Sequence, residues 1–107
     1  MKVQEHKIVL YKLNNGQVPF ERWFNGLGSV FQQAVDARIS RLMNGNLGDH
    51  RSLGGGLCEL RINKGPGLRV YYGFAERQLV VLILGGNKGS QSRDIKKARR
   101  IWLEIKP

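Results

Sequence analysis

Residues 59–73, ELRINKGPGLRVYYG, constrain the fold more than any other stretch of the chain. Cys58, Leu60 and Ile62 alternate with Glu59 and Arg61, and beyond a turn Leu68, Val70 and Tyr72 alternate with Arg69 and Tyr71. That is the period-two pattern of two half-buried strands joined as a hairpin. Gly65-Pro66-Gly67 fits a type II turn, in which Pro presets φ at the second position and Gly tolerates the positive φ of the third. Parity then sets the register. For Leu60 and Ile62 to share a face with Leu68 and Val70, the loop must hold an odd number of residues, because a one-residue slip sends every side chain to the opposite face. Glu59, Arg61, Arg69 and Tyr71 consequently emerge on one surface, where two guanidinium groups, a carboxylate and a phenol can handle a phosphate.

The flanking segments supply the rest of a small domain. Residues 7–13 (KIVLYKL) have strand composition and end at Asn14-Asn15-Gly16. Pro19 opens a short amphipathic helix whose apolar residues, Phe20, Trp23 and Phe24, belong to the core, and Asn25-Gly26 closes it. Ser29 and Gln32 match a capping box, so a second helix begins there, with Phe31, Ala34, Val35, Ile39 and Leu42 inward and Asn44-Gly45 as its stop. Residues 44–56, glycine-rich and without apolar periodicity, read as a loop able to approach another surface closely. Residues 79–84 (LVVLIL) are continuously apolar, the pattern of a strand covered on both faces. From about Ser90 to Ile105, Ile95, Ala98, Trp102 and Ile105 recur at helical spacing. The order is β-α-α-β-β-β-α, an α+β domain spanning residues 1–107, with helices packed on one face of a mainly antiparallel sheet. The other face is expected to be partly open.

Charge narrows the partners. Eighteen Lys and Arg against eight Asp and Glu give +10 over 107 residues, which favours a polyanion, nucleic acid above all. Residues 88–107 hold seven of those cations against Asp94 and Glu104. The single Cys58 allows no internal disulfide and fits a reducing compartment, and no run is long and apolar enough to span a bilayer, so a soluble cytoplasmic protein without membrane partners is expected. His6 and His50 lie far apart and no spacing resembles a metal site, so neither metal nor cofactor is expected. The glycine-rich segment before the last helix lacks the G-x-x-x-x-G-K-[ST] spacing of a P-loop. It retains a general anion site, made of backbone amides at a helix N-terminus together with Lys88.

These residues suit a metal-independent ribonuclease. Attack of a ribose 2′-OH on the adjacent phosphate needs a base at the hydroxyl, cations on the phosphorane and an acid at the leaving oxygen. Arg61 and Arg69 can clamp phosphate, Glu59 or His50 can accept the proton, and Lys88 can donate one or stabilise charge. Tyr71 can stack on a base or bond the phosphate, and Ser90, Arg93, Lys96 and Lys97 extend a substrate-binding surface along the last helix. A bland alternative stands beside Glu59, a cross-strand salt bridge with Arg61 or Arg69.

Residues 48–73, GDHRSLGGGLCELRINKGPGLRVYYG, followed by LVVLILGGNKGSQSRDIKKARRIW, resemble the RelE/ParE superfamily of bacterial toxins, and within it the HigB-like, phage-associated addiction-module killer proteins. The resemblance covers essentially the whole chain. It implies a RelE-like compact domain and a type II toxin–antitoxin system, in which the toxin is an mRNA interferase cutting messenger RNA on the ribosome and a helix-turn-helix (HigA-like) antitoxin neutralises it. By position it assigns Glu59 and Arg61 to activating or orienting the 2′-OH, Arg69 to the phosphate, and Lys88 to charge stabilisation or leaving-group protonation. Ile95 stands where many relatives carry a base-stacking tyrosine. ParE-like members keep the fold but poison DNA gyrase without cutting RNA, and an inactive RNA-binding relic is a third possibility.

Overall fold

The computed structural model describes residues 5–105; Met1–Gln4 of the amino-terminal reading, and Lys106 with Pro107, lie outside the described residues. The described residues form an α+β domain with a five-stranded mixed sheet and three helices. In order these are β1 (Lys7–Leu10), α1 (Pro19–Asn25), α2 (Ser29–Met43), β2 (His50–Gly54), β3 (Leu57–Ile62), β4 (Leu68–Glu76), β5 (Leu79–Asn87), a 3-10 turn (Lys88–Ser90) and α3 (Gln91–Ile105). The sheet runs β1-β5-β4-β3-β2, with β1 parallel to β5 and the other pairs antiparallel. Among the described residues, no helix is long and apolar enough to cross a membrane.

The hairpin register follows the parity argument. Ile62 opposes Leu68 and Arg61 opposes Arg69, so the β3–β4 loop holds an odd number of residues, the five from 63 to 67. The turn itself is placed one residue earlier than a Pro-led type II turn would be. The Gly67 amide donates to the Lys64 carbonyl (2.9 Å), which makes Gly65, at φ +49°, the first central residue and Pro66 the second. Gly65 is required for a second reason, since a Cβ there would fall 2.4 Å from the Phe31 ring of α2.

Two expectations are corrected. The 44–56 segment is not all loop, because His50–Gly54 pairs with β3 as an edge strand. Its apolar periodicity is missing because most of the strand is exposed, and its place is held from α2 instead. The Arg38 guanidinium donates to the carbonyls of Leu47 (3.2 Å), Asp49 (3.1 Å) and Arg61, tying the lead-in of β2 to β3. Nor do the helices share a face. Phe20 of α1 and Val35 and Leu42 of α2 pack with Leu60, Ile62, Val70, Tyr72 and Leu82, whereas Ala98, Ile101 and Trp102 of α3 pack with Leu57, Tyr71, Val81 and Ile83 on the other side. The continuously apolar β5 demands cover on both faces, and a register shift against β4 turns both Ile83 and Leu84 toward α3.

A smaller correction concerns the start of α2. Its N-cap is Gly28, without a side-chain cap, and Gln32 does not close a capping box with Ser29 but donates to the Phe24 carbonyl (2.9 Å), joining α2 to the end of α1. α3 reaches the sheet by a different device. Gly73 has no side chain, and a Cβ there would stand 2.5 Å from the Trp102 ring, so the glycine lets the indole lie on β4 while its Nε1 donates to the Gly55 carbonyl (2.7 Å).

Candidate functional site

Strand pairing gathers cations on the α3 side of the sheet. Arg51 opposes Glu59, which opposes Tyr71, and one step along Arg61 opposes Arg69. Side chains of directly opposed residues project to the same face, so three arginines from three strands surround one carboxylate. Glu59 is 0% exposed. Its Oε1 accepts from Arg61 Nε at 3.1 Å and lies 3.6 Å from Arg51 Nε; its Oε2 accepts from Gln91 Nε2 at 2.8 Å and lies 3.9 Å from Arg69 Nε. Among the described residues, every ion pair is one of these three.

The electrostatics follow from this enclosure. Burial pushes the Glu59 carboxyl up, but hydrogen bonds from Gln91 and Arg61 and the charges of Arg51 and Arg69 outweigh it, and the group sits below the usual carboxylate range. Glu59 is therefore ionised at neutral pH and a weak proton acceptor. A depressed folded-state value contributes stability that is complete above the unfolded carboxyl value of about 4.3 and is lost as pH falls through the folded one. Between about pH 5 and pH 2 the wild type should thus lose more stability than Glu59→Gln, measured as urea midpoints against pH.

The site differs from its sequence reading in four respects. Tyr71 shares the face of Glu59 but is completely buried, so it cannot stack on a base from the surface; its hydroxyl has no hydrogen-bond partner among the described residues, and burial with the nearby Glu59 carboxylate raises its pKa. His50 opposes Leu60 and so belongs to the opposite face, exposed, with Nδ1 2.9 Å from the Gly48 carbonyl. Arg51 occupies the cluster in its place. The amides entering α3 are not an open anion site, since Asn87 Oδ1 accepts from Gly89 N (2.8 Å) and Ser90 N (3.2 Å), and the Ser90 hydroxyl donates to Asp94.

Lys88 stands at the rim of the cluster. Its amide donates to the Gly67 carbonyl (2.9 Å), and a Cβ on Gly67 would be 3.5 Å from both Arg69 Nη1 and Lys88 Cβ, so Gly67 lies between the Arg69 guanidinium and the base of the Lys88 side chain. Arg93, Lys96 and Lys97 are outside this arrangement, exposed on α3 where, with Ser92 and Arg100, they line a shallow groove. Ile95 packs against the core under α3. Sequence reasoning missed Arg51 and Gln91. Arg51 had a findable signal, the antiparallel partner position of Glu59, but only once β2 is recognised as a strand; Gln91 had none, since its contact spans 32 residues.

No family model matches the chain. Over 87 residues, 80% of this chain and 88% of the relative, it is 41% identical to a Haemophilus influenzae protein described as uncharacterized. The chain belongs to that protein's family. Family membership brings no activity with it, so the functional argument rests on the cluster.

Proposed function

We propose that this protein is a HigB-like toxin of the RelE/ParE superfamily, a metal-independent endoribonuclease that cuts messenger RNA on the cytoplasmic ribosome. The observation that carries this reading is the convergence of Arg51, Arg61 and Arg69 on one sheet face with Lys88 at its rim. A gyrase-binding surface has no need of guanidinium groups gathered around a buried carboxylate, whereas transesterification at phosphate uses such a cluster of cations.

In the proposed reaction the ribose 2′ oxygen bonds to the adjacent phosphorus and the phosphorus–5′ oxygen bond breaks. The arginines stabilise the negative charge that builds on the phosphoryl oxygens, and the Lys88 ammonium donates a proton to the departing 5′ oxygen. The 2′-OH proton leaves to solvent. Neither enclosed acid–base group can take it, because Glu59 is held by three arginines and Gln91, and Tyr71 stays a neutral buried phenol. Catalysis is accordingly led by cations. Lys88→Ala should lower the cleavage rate about 10²-fold while weakening RNA binding only a few-fold; equal losses in single-turnover and binding assays would make Lys88 a docking residue.

The partners proposed are messenger RNA, the ribosome and a helix-turn-helix antitoxin whose acidic segment covers the basic stripe on α3. Arg93, Lys96, Lys97 and Arg100 fall at helical spacing with no ion pair among the described residues, a repulsive arrangement that a polyanion relieves. The test is induction in a host lacking the antitoxin, with transcript 5′ ends mapped and DNA breaks assayed in parallel. Cuts within translated codons support the nuclease; intact transcripts with gyrase-dependent DNA breaks overturn it.

A further inference from the structure

All three arginines approach Glu59 through Nε rather than through a terminal Nη. Only Arg61 donates a hydrogen bond from that nitrogen; Arg51 and Arg69 stand at ion-pair distance, and among the described residues the terminal nitrogens of the three make one hydrogen bond, from Arg69 Nη1 to the Leu68 carbonyl. The side chains are graded in exposure, 46% for Arg51, 35% for Arg61 and 12% for Arg69, so the cluster opens from its Arg51 edge and closes beneath Arg69. Three guanidinium charges less one carboxylate leave +2 in the cluster. The Glu59 carboxylate is in turn fixed from the helix side by Gln91, the first residue of α3.

From this geometry we infer that Glu59, seated by Gln91, is a positioning residue whose buried carboxylate gathers Arg51, Arg61 and Arg69 into a preformed receptor for a dianionic phosphate. The receptor rests on the proposed nuclease only for its biological ligand, the phosphorane of RNA transesterification, whose doubly charged phosphoryl group matches the cluster's charge while the diester substrate carries a single charge. Binding energy is thereby reserved for the transition state. The carboxylate is needed because three unrestrained guanidinium groups repel one another and lose their common aim. Neutralisation alone makes the opposite forecast, since removing a negative charge from a pocket with no positional requirement tightens anion binding.

The test is titration of the full chain with inorganic phosphate at about pH 8, where the dianion dominates, and with dimethyl phosphate, a permanent monoanion, followed by the arginine Nε–Hε NMR resonances and by calorimetry. Wild type should bind inorganic phosphate about tenfold more tightly than dimethyl phosphate. Folded Glu59→Gln should lose about tenfold in phosphate affinity; unchanged or tighter binding overturns the inference. Should Glu59→Gln fail to fold, Arg51→Lys on the exposed edge strand decides, because it keeps the charge but not the planar guanidinium fork beside Glu59. It should bind phosphate about fivefold more weakly, and equal affinity overturns the inference. Phosphate bound in this way without RNA cleavage leaves the receptor standing and removes the nuclease. RNA cleavage without the dianion preference removes the receptor alone.

Discussion

Arg69→Ala should abolish growth inhibition and lower RNA cleavage about 10²–10³-fold, the usual cost of deleting a preorganised donor from a developing oxyanion, while the protein remains folded. The size of the effect follows from where Arg69 lies. It is the most enclosed of the three arginines, on central strand β4, opposite Arg61 on one side and side-chain-free Gly86 on the other. Among the described residues its Nε is buried without a hydrogen bond, and Nη1 makes only a long contact, 3.3 Å, to the Leu68 carbonyl, so little of its donor capacity is spent on them. Removing it leaves Glu59 with Arg61, Arg51 and Gln91, which keeps the carboxylate paired. Circular dichroism and urea unfolding should therefore resemble wild type. A well-folded Arg69→Ala protein that still halts growth would sink the site assignment.

The largest expected loss of stability belongs to Trp102→Ala, about 3–5 kcal/mol, the range for truncating a buried aromatic side chain. Trp102 is nearly enclosed, lies against Gly73 of β4, and gives its indole hydrogen to the Gly55 carbonyl. The substitution leaves a cavity under α3 and an unmet acceptor at the β2–β3 turn. Small domains hold only about 5–15 kcal/mol in reserve, so the change removes a large share of the margin, read as the urea midpoint. Trp102→Phe separates the two contributions by keeping most of the packing and losing the hydrogen bond, at about 1 kcal/mol for that bond. If alanine and phenylalanine cost the same, packing on Gly73 is not what seats the helix.

Much of this arrangement was legible before any coordinates. Alternation in residues 58–62 and 68–72 carried both the register and the common face of Glu59, Arg61, Arg69 and Tyr71, because period-two patterning records which side of a sheet is buried. The same logic was blind to β2. Four of its five residues are exposed, so burial imposed no alternation on them, and with the strand went Arg51's place in the cluster and His50's place on the wrong face. Tyr71 shows the limit of parity. It gives the face of a residue but not its depth, and depth was decided by α3, whose apolar stripe could have packed on either side. The sheet's second cover was nevertheless implied by LVVLIL, a run that has no polar face to leave in water.

The position of β1 has a kinetic meaning. Strands β2 through β5 form a meander in which each pairs with its neighbour in sequence, so their contacts close short loops. β1 is the exception, paired in parallel with the first half of β5 across most of the chain, from Lys7 to Leu79. Closing so long a loop is entropically costly and becomes worthwhile only when a partner edge already exists. β1 is therefore expected to dock late, onto an assembled meander, and the arginine cluster, drawn from β2, β3, β4 and α3, belongs to the part of the molecule that can organise before it.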